Sequence, residues 1–285
     1  MNRRATIFDR SGLAALSDLD NDVWRDIFKG LEADQAAFLS KADRFRSPDY
    51  PWYEDPLHNW SRVWEYAYCR HHLKAWRQKA AGSGLLRVAD VGSGVTFFPF
   101  AVARLGYHVF CVDPNPVCER DLGRAIPLTP CEPGRVEFRL AGGENLPFQD
   151  AELDAVYCIS VLEHIPDFER SIEEMARVLK PGGLCLLTID LDMSGESEIG
   201  VKRYAQLVAL LKERFKFLFP DATVHPGDIL HSNVGPYPIW YDPGPWWRRA
   251  LRPLWKWIKG ARGWKPPMNM ACQSFVMVRP PSREA

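Results

Sequence analysis

Leu86–Pro99 reads LRVADVGSGVTFFP, and together with Asp113 it decides the fold. An apolar run over Leu85–Val91 carries one acid near its end, Asp90, and leads into a tight turn at Gly92-Ser93-Gly94. A second apolar run, Tyr107–Val112, closes on Asp113, about twenty residues after the turn, the offset expected of a nucleotide-binding β-α-β unit. In such a unit the glycines let the backbone approach a ligand closely. The second acid takes a pair of ribose hydroxyls.

The same alternation continues downstream. Strands are expected at Val136–Leu140, Ala155–Val161 and Leu184–Asp190, with a last one at Ala271–Val278. Several are nearly unbroken apolar runs, as strands buried on both faces should be. Asp167–Lys180 places Phe168, Ile172, Met175 and Leu179 on one helical stripe and stops at Pro181-Gly182-Gly183. Val201–Leu218 is a further amphipathic helix, and Asp221–Ile239 is irregular with one short strand. Strands alternating with helices imply a parallel sheet with right-handed crossovers. Upstream, residues 1–83 are helical and aromatic-rich, with apolar spacing over Ser17–Arg46 and Leu57–Lys79, and residues 80–84 (AAGSG) form a linker. The expected division is therefore residues 1–83 and residues 84–285.

Two cofactor classes use this β-α-β geometry, the dinucleotides and S-adenosylmethionine. A dinucleotide needs a third glycine where a pyrophosphate meets the helix N-terminus, and that position is Phe97. Asp90 would repel a pyrophosphate, yet it suits a ligand bearing a sulfonium and an ammonium. Three further stretches carry a resemblance: Gly143–Phe148 (GENLPF), Asp154–Ile165 (DAVYCISVLEHI) and Arg177–Gly183 (RVLKPGG). With DVGSG before them, the order and spacing resemble the class I S-adenosylmethionine-dependent methyltransferases, in particular the ubiquinone and menaquinone branch, over about residues 85–190.

The resemblance implies an α/β, Rossmann-like fold: a mostly parallel seven-stranded sheet, helices on both faces and an N-terminal helical lid. It implies S-adenosylmethionine as cofactor, S-adenosylhomocysteine as product, and methyl transfer to a small-molecule, glycan or lipid-linked acceptor, at oxygen. It places Gly92, Ser93 and Gly94 under the methionine and ribose, and Asp90 at the methionine end. Asp113, followed by Pro114, falls on the ribose hydroxyls. Glu144 and Asn145 edge the adenine, and Ser160 lies beside the methionine. Thr96 stands where the family loop has its third glycine, and its hydroxyl can bond a cofactor carboxylate.

His164 is the first candidate for the base that an oxygen acceptor needs, because an imidazole exchanges protons near neutrality. Glu163 is the second, with His225 and Asp228 in reserve. Some quinone-biosynthesis relatives hold a metal on a Glu-x-x-Glu-His cluster. The first glutamate position here is Ser160, so no metal is expected. Leu57–Tyr66 (LHNWSRVWEY) spreads Trp60, Arg62, Glu65 and Tyr66 over more than one helix face, so not all of them are expected in the core. Trp60, Arg62 and Tyr66 are candidates for acceptor contact, and Arg62 or Tyr66 for the cofactor carboxylate.

Pro245–Pro267 is an insertion with five tryptophans, seven basic residues and no acid. It reads as a lid, a peripheral membrane contact on anionic lipid, or a protein interface. Lys+Arg and Asp+Glu both total 36, a balance that argues against a nucleic-acid partner. The seven cysteines form no CxxC pair, and the N-terminus has no long apolar core, so a cytoplasmic location is expected. The other class left open is a protein that binds S-adenosylmethionine without turnover, as a regulator or scaffold.

Overall fold

In a computed structural model, the buried β-branched and aromatic runs of the sequence form one continuous sheet. The structure describes residues 5–52, 54–80, 82, 84–193, 199–238 and 270–281, so the insertion Pro245–Pro267 lies outside the described residues. The strands are β1 (Ser11–Leu13), β2 (Leu86–Val91), β3 (Tyr107–Asp113), β4 (Arg135–Leu140), β5 (Leu153–Ile159), β6 (Leu179–Asp192), β7 (Lys216–Phe217), β8 (Asp221–Ala222) and β9 (Met270–Val278). The helices are α1 (Asp22–Leu39), α2 (Ala42–Phe45), α3 (Arg62–Lys79), α4 (Phe98–Ala103), α5 (Pro116–Ala125), α6 (Phe168–Val178) and α7 (Val201–Arg214).

The sheet order is β4-β3-β2-β5-β6-β9-β1-β8, with β7 also paired to β9. β4 through β6 run parallel, and β9 enters antiparallel beside β6. The described residues thus hold nine strands where seven are expected. The excess lies at one edge. Beyond β9 the sheet is assembled from short pieces: β7 takes Met277 and Val278, while β1 takes Gln273 and Ser274 and carries β8 outside it.

Alternate residues of the central strands feed opposite faces, the period-two rule of a pleated strand. Val109, Cys111, Ala155, Tyr157, Leu184 and Leu186 pack towards α1, α3, α4 and α5. Phe110, Val112, Val156, Cys158, Cys185 and Leu187 pack towards α6 and α7. On β2, Ala89 and Val91 belong to the second face and Val88 to the first, so Asp90 turns towards α3. The N-terminal residues share this framework. β1 pairs with β9, and Phe8, Phe28, Leu31, Phe38, Trp64 and Tyr68 lie in the same core as Val88 and Val276.

Two boundaries move for local reasons. α6 stops at Val178 rather than Lys180, because Leu179 already pairs with Leu153 on β5. Pro181-Gly182-Gly183 then forms a bulge inside β6: pairing resumes at Ala155 with Leu184, and Gly182 takes a left-handed φ of 78°. α7 ends at Arg214, where Lys216 and Phe217 are recruited to β9.

α3 agrees with the expectation that these residues are not all core, since Arg62 is half-buried, but its first turns are more enclosed than the spacing suggests. Every residue from Val63 to Cys69 is buried, and Trp60 and Glu65 are 2% and 0% exposed. The helix is enclosed on more than one side, against α1, α4 and the strands β6 and β9. Its polar side chains are shed further along, where Lys74 and Gln78 are exposed. All seven cysteines are free thiols, and burial pushes those of Cys69, Cys111, Cys158 and Cys272 well above the usual thiol range. No helix among the described residues is long and apolar enough to cross a membrane.

Candidate active site

The glycine turn sits where β2 and β3 end side by side at the centre of the sheet. The Gly92 N–H donates to the Val112 carbonyl at 2.8 Å, stitching the turn to β3. Gly92 has φ 76° and Gly94 φ 54°, both in the left-handed region that costs an L-residue energy. At Gly92 space adds a second demand, since a Cβ would stand 2.4 Å from a methyl of Val161.

Asp113 fastens this turn. One carboxylate oxygen accepts from the Gly94 N–H at 3.0 Å and the other from the Asn115 N–H at 2.9 Å. Asn115 then caps α5 by accepting from the Val117 N–H. The acid predicted to take ribose hydroxyls is therefore held rigidly at the strand end, 8% exposed, with lone pairs left over for a ligand. Where a dinucleotide fold needs glycine, Phe97 is 1% exposed and meets the Tyr66 ring edge-on at 5.6 Å. A bulky aromatic there replaces the close helix–strand packing that the third glycine of a dinucleotide fold provides. A ligand without a pyrophosphate fits the donors and acceptors present.

Asp90 lies beneath the turn, 6% exposed. Burial, with the Asp113 charge adding to it, pushes its carboxyl up to about 8. Tyr66 stands over this region with its ring stacked on Phe98 at 4.5 Å and its hydroxyl near enough to Thr96 to feel it, while burial pushes that hydroxyl well above the usual phenol range. Tyr66 and Thr96 are thus brought together, as are Ser93 and Gly94, where the Ser93 hydroxyl donates to the Gly94 carbonyl at 3.3 Å.

Beyond β5 the chain turns through Ser160, a non-glycine residue at φ 43°. Its hydroxyl donates to Glu65 at 2.6 Å and lies 3.2 Å from Asp190. Glu65 also pairs with Arg62 and accepts from the Cys272 thiol. Arg62 reaches the Ser160 carbonyl at 3.5 Å. Burial opposes the charge on Glu65, yet Arg62 and the Ser160 hydroxyl hold its carboxyl below the usual range. Strained backbone of this kind persists only where surrounding contacts over-determine it, and these bonds do so.

Glu163 and His164 share one short turn, Leu162–His164, but point apart. Glu163 is 3% exposed, accepts from the Asp190 N–H at 3.1 Å, and leaves its other oxygen buried without a partner. Burial, then the neighbouring Asp190, push its carboxyl well above the usual range. His164 is exposed. Of the remaining residues, Trp60 lies in the core, Glu144 is half-buried, and Pro114 and Asn145 are exposed at the loop edges. His225 caps its own turn, and Asp228 accepts from the Ser17 backbone and hydroxyl at 2.9 and 2.6 Å.

Sequence reasoning missed one contact and two residues. The contact joins Glu65 to Ser160, 95 residues away. Arg46 and Tyr50 carry no motif, yet they close over the glycine turn. The Tyr50 hydroxyl accepts from the Val95 N–H at 3.1 Å, and Arg46 donates to the Val95 carbonyl at 3.3 Å.

Residues 89–187 match the family model described as a methyltransferase domain. An uncharacterized methyltransferase of Mycobacterium sp. (strain JLS) is 37% identical over 119 residues, 41% of this chain and 44% of that protein. The ubiquinone biosynthesis O-methyltransferase of Xanthomonas axonopodis pv. citri (strain 306) is 34% identical over 153 residues, 53% and 58% of the two chains. The chain spans about half the length of the curated relatives it matches. Among solved structures, the 4+2 cyclase SpnF superposes with a TM-score of 0.52 at 18% identity, covering 95% of this chain and 99% of that one, a likeness of fold alone.

Proposed function

We infer, from a chain that carries a methyltransferase domain at residues 89–187 on the class I fold, that it moves a methyl group from S-adenosylmethionine to an oxygen of a small-molecule, glycan or lipid-linked acceptor. The observation that supports this most is the Gly92–Gly94 turn locked to Asp113, with a buried Phe97 where a dinucleotide fold has its third glycine. The bound cofactor supplies an electrophilic methyl on a sulfonium. What remains for the protein is alignment, exclusion of water and removal of a proton.

Each of those tasks has a candidate. Asp113 orients the ribose through its free lone pairs. Gly92, Ser93 and Gly94 bring backbone close to the ligand, with Thr96 and Tyr66 at the methionine end. Glu144 and Asn145 border the adenine. Asp90 faces the cationic end. Ser160, held by Glu65, fixes the exit of β5. The proton falls to His164, which is exposed, whereas Glu163 is buried and bonded to the Asp190 N–H. The Trp/Arg segment Pro245–Pro267 is proposed to shape acceptor access or to rest on anionic lipid.

Thermal unfolding with S-adenosylhomocysteine, S-adenosylmethionine and NAD(P) tests the cofactor. A ligand at a hundredfold excess over Kd stabilises by about 2.7 kcal/mol, a clear shift in Tm. A shift with the first two ligands supports the proposal. No shift with either, or a shift with NAD(P) alone, overturns it.

Asp90 sets a pH dependence. Its carboxyl, raised to about 8, is mostly protonated at pH 6, whereas a cationic ligand favours the carboxylate. Affinity for S-adenosylmethionine should therefore rise with pH towards about 8 and level off above it, with proton release on binding. Asp90→Asn should flatten that rise. Calorimetry between pH 6 and 9 checks both, and a slope retained in the variant excludes Asp90 as its source.

A further inference from the structure

Two guanidinium groups reach the rim of the proposed cofactor site, and they are not equivalent. Arg62 approaches from α3 on the Ser160 side, and its charge is met by Glu65. A further anion there would sit beside Glu65 and Asp190. Arg46 approaches on the Gly94–Val95 side, and among the described residues it has no acidic partner.

The poverty of contacts around Arg46 is specific. One nitrogen, Nη2, donates to the Val95 carbonyl at 3.3 Å. Nε and Nη1 are buried with no hydrogen-bond partner. Nε carries one N–H and Nη1 two, so most of the donors of the group are unmet. Buried donors without a partner are costly, and although the residue as a whole is half-buried and its charge lies over the Phe45 ring at 5.7 Å as well as that of Tyr50, neither ring supplies an acceptor for them.

The position is built rather than incidental. The guanidinium lies over the Tyr50 ring at 4.5 Å. Tyr50 accepts from the Val95 N–H, which leaves its own O–H free to donate beside the guanidinium. Burial pushes the Tyr50 hydroxyl up to about 12, so that proton stays in place at neutral pH. The turn carrying both residues is anchored to α5. The Ser47 N–H donates to Asp121 at 2.8 Å and the Ser47 hydroxyl to its other oxygen, while Arg120 pairs with Asp49 at 2.6 Å. Asp121 is fully buried.

We infer that Arg46, with the Tyr50 hydroxyl, is a carboxylate receptor at the tip of the glycine turn. A planar guanidinium beside a phenolic donor matches the geometry of a carboxylate. The source of that carboxylate rests on the methyl-transfer reading: it is the amino-acid end of the cofactor or an acidic group on the acceptor.

Three probes on the full chain separate these sources. S-adenosylhomocysteine carries the amino-acid end, 5′-methylthioadenosine is the sulfur nucleoside without it, and benzoate stands in for an acidic acceptor. Calorimetry is run on the unmodified chain and on Arg46→Met. A ten- to hundredfold loss of S-adenosylhomocysteine affinity, with 5′-methylthioadenosine unchanged, places the cofactor carboxylate on Arg46. Both nucleosides unchanged, with benzoate binding to the S-adenosylhomocysteine-loaded chain abolished, places the acceptor there.

Equal losses for both nucleosides, or no change with any probe, overturn the inference. If the unmodified chain binds neither nucleoside, the cofactor reading falls, while benzoate binding that disappears in Arg46→Met still upholds the receptor. If Arg46→Met does not fold, Arg46→Lys, which keeps the charge and loses the planar fork, makes the same comparison with a smaller loss.

Discussion

Asp113→Ala should weaken S-adenosylhomocysteine binding by at least a hundredfold and abolish its thermal shift. Each hydrogen bond from a ribose hydroxyl to a carboxylate contributes about 1.5–3 kcal/mol, so losing two corresponds to roughly 10²–10⁴ in Kd. The variant also releases the Gly94 and Asn115 N–H groups, which loosens the turn and the start of α5. Asp113→Asn keeps the shape and one acceptor, so only one of the Gly94 and Asn115 N–H groups loses its partner. Its losses of affinity and of melting temperature should both be intermediate between the parent and Asp113→Ala. An Asp113→Ala chain that binds as tightly as its parent would remove the ribose assignment.

Glu65→Ala should be the most destabilising single change near the site. The carboxylate is fully buried and joins Arg62, Ser160 and Cys272 from three separate parts of the chain. Removing one partner of a buried ion pair costs about 3–5 kcal/mol, because the other charge is left uncompensated. At about 2–4 °C per kcal/mol, Tm should fall by roughly 6–20 °C. The double variant Glu65→Leu with Arg62→Met removes both charges and should recover much of the loss, since apolar replacement of a whole buried pair is often near neutral. Equal Tm values for Glu65→Ala and its parent would show that the pair contributes nothing.

The central sheet was legible because parallel strands buried on both faces need nearly unbroken apolar runs, and β3, β5 and β6 supply them. Gly92, Gly94 and Asp113 were legible because a left-handed turn and a ribose contact each demand a residue type at a fixed offset. What escaped was tertiary. β1 is Ser11-Gly12-Leu13, three residues with no periodicity, and only its pairing with β9 makes it a strand. The roles of Trp60, Arg62, Glu65 and Tyr66 depended on how completely α3 is enclosed, which its spacing does not reveal. Arg46 and Tyr50 sit in a Pro- and aromatic-rich turn whose position is set by Asp121, more than seventy residues on. The opposite headings of Glu163 and His164 follow from one short turn after β5 and have no signature in composition.

The pairing of β1 with β9 also orders events in time. The Ser274 hydroxyl donates to the Gly12 carbonyl across 262 residues. At synthesis rates of about 5–20 residues per second, β1 leaves the ribosome roughly 13–50 s before its partner exists. Until β8 emerges β1 has neither of its sheet neighbours, and until β9 emerges it lacks the strand that joins it to the rest of the sheet, while Phe8 and the aromatic face of α3 lack part of their cover. The nascent chain therefore completes its sheet only after its last strand emerges, and a ribosome stalled before β9 would present an unfinished edge to chaperones.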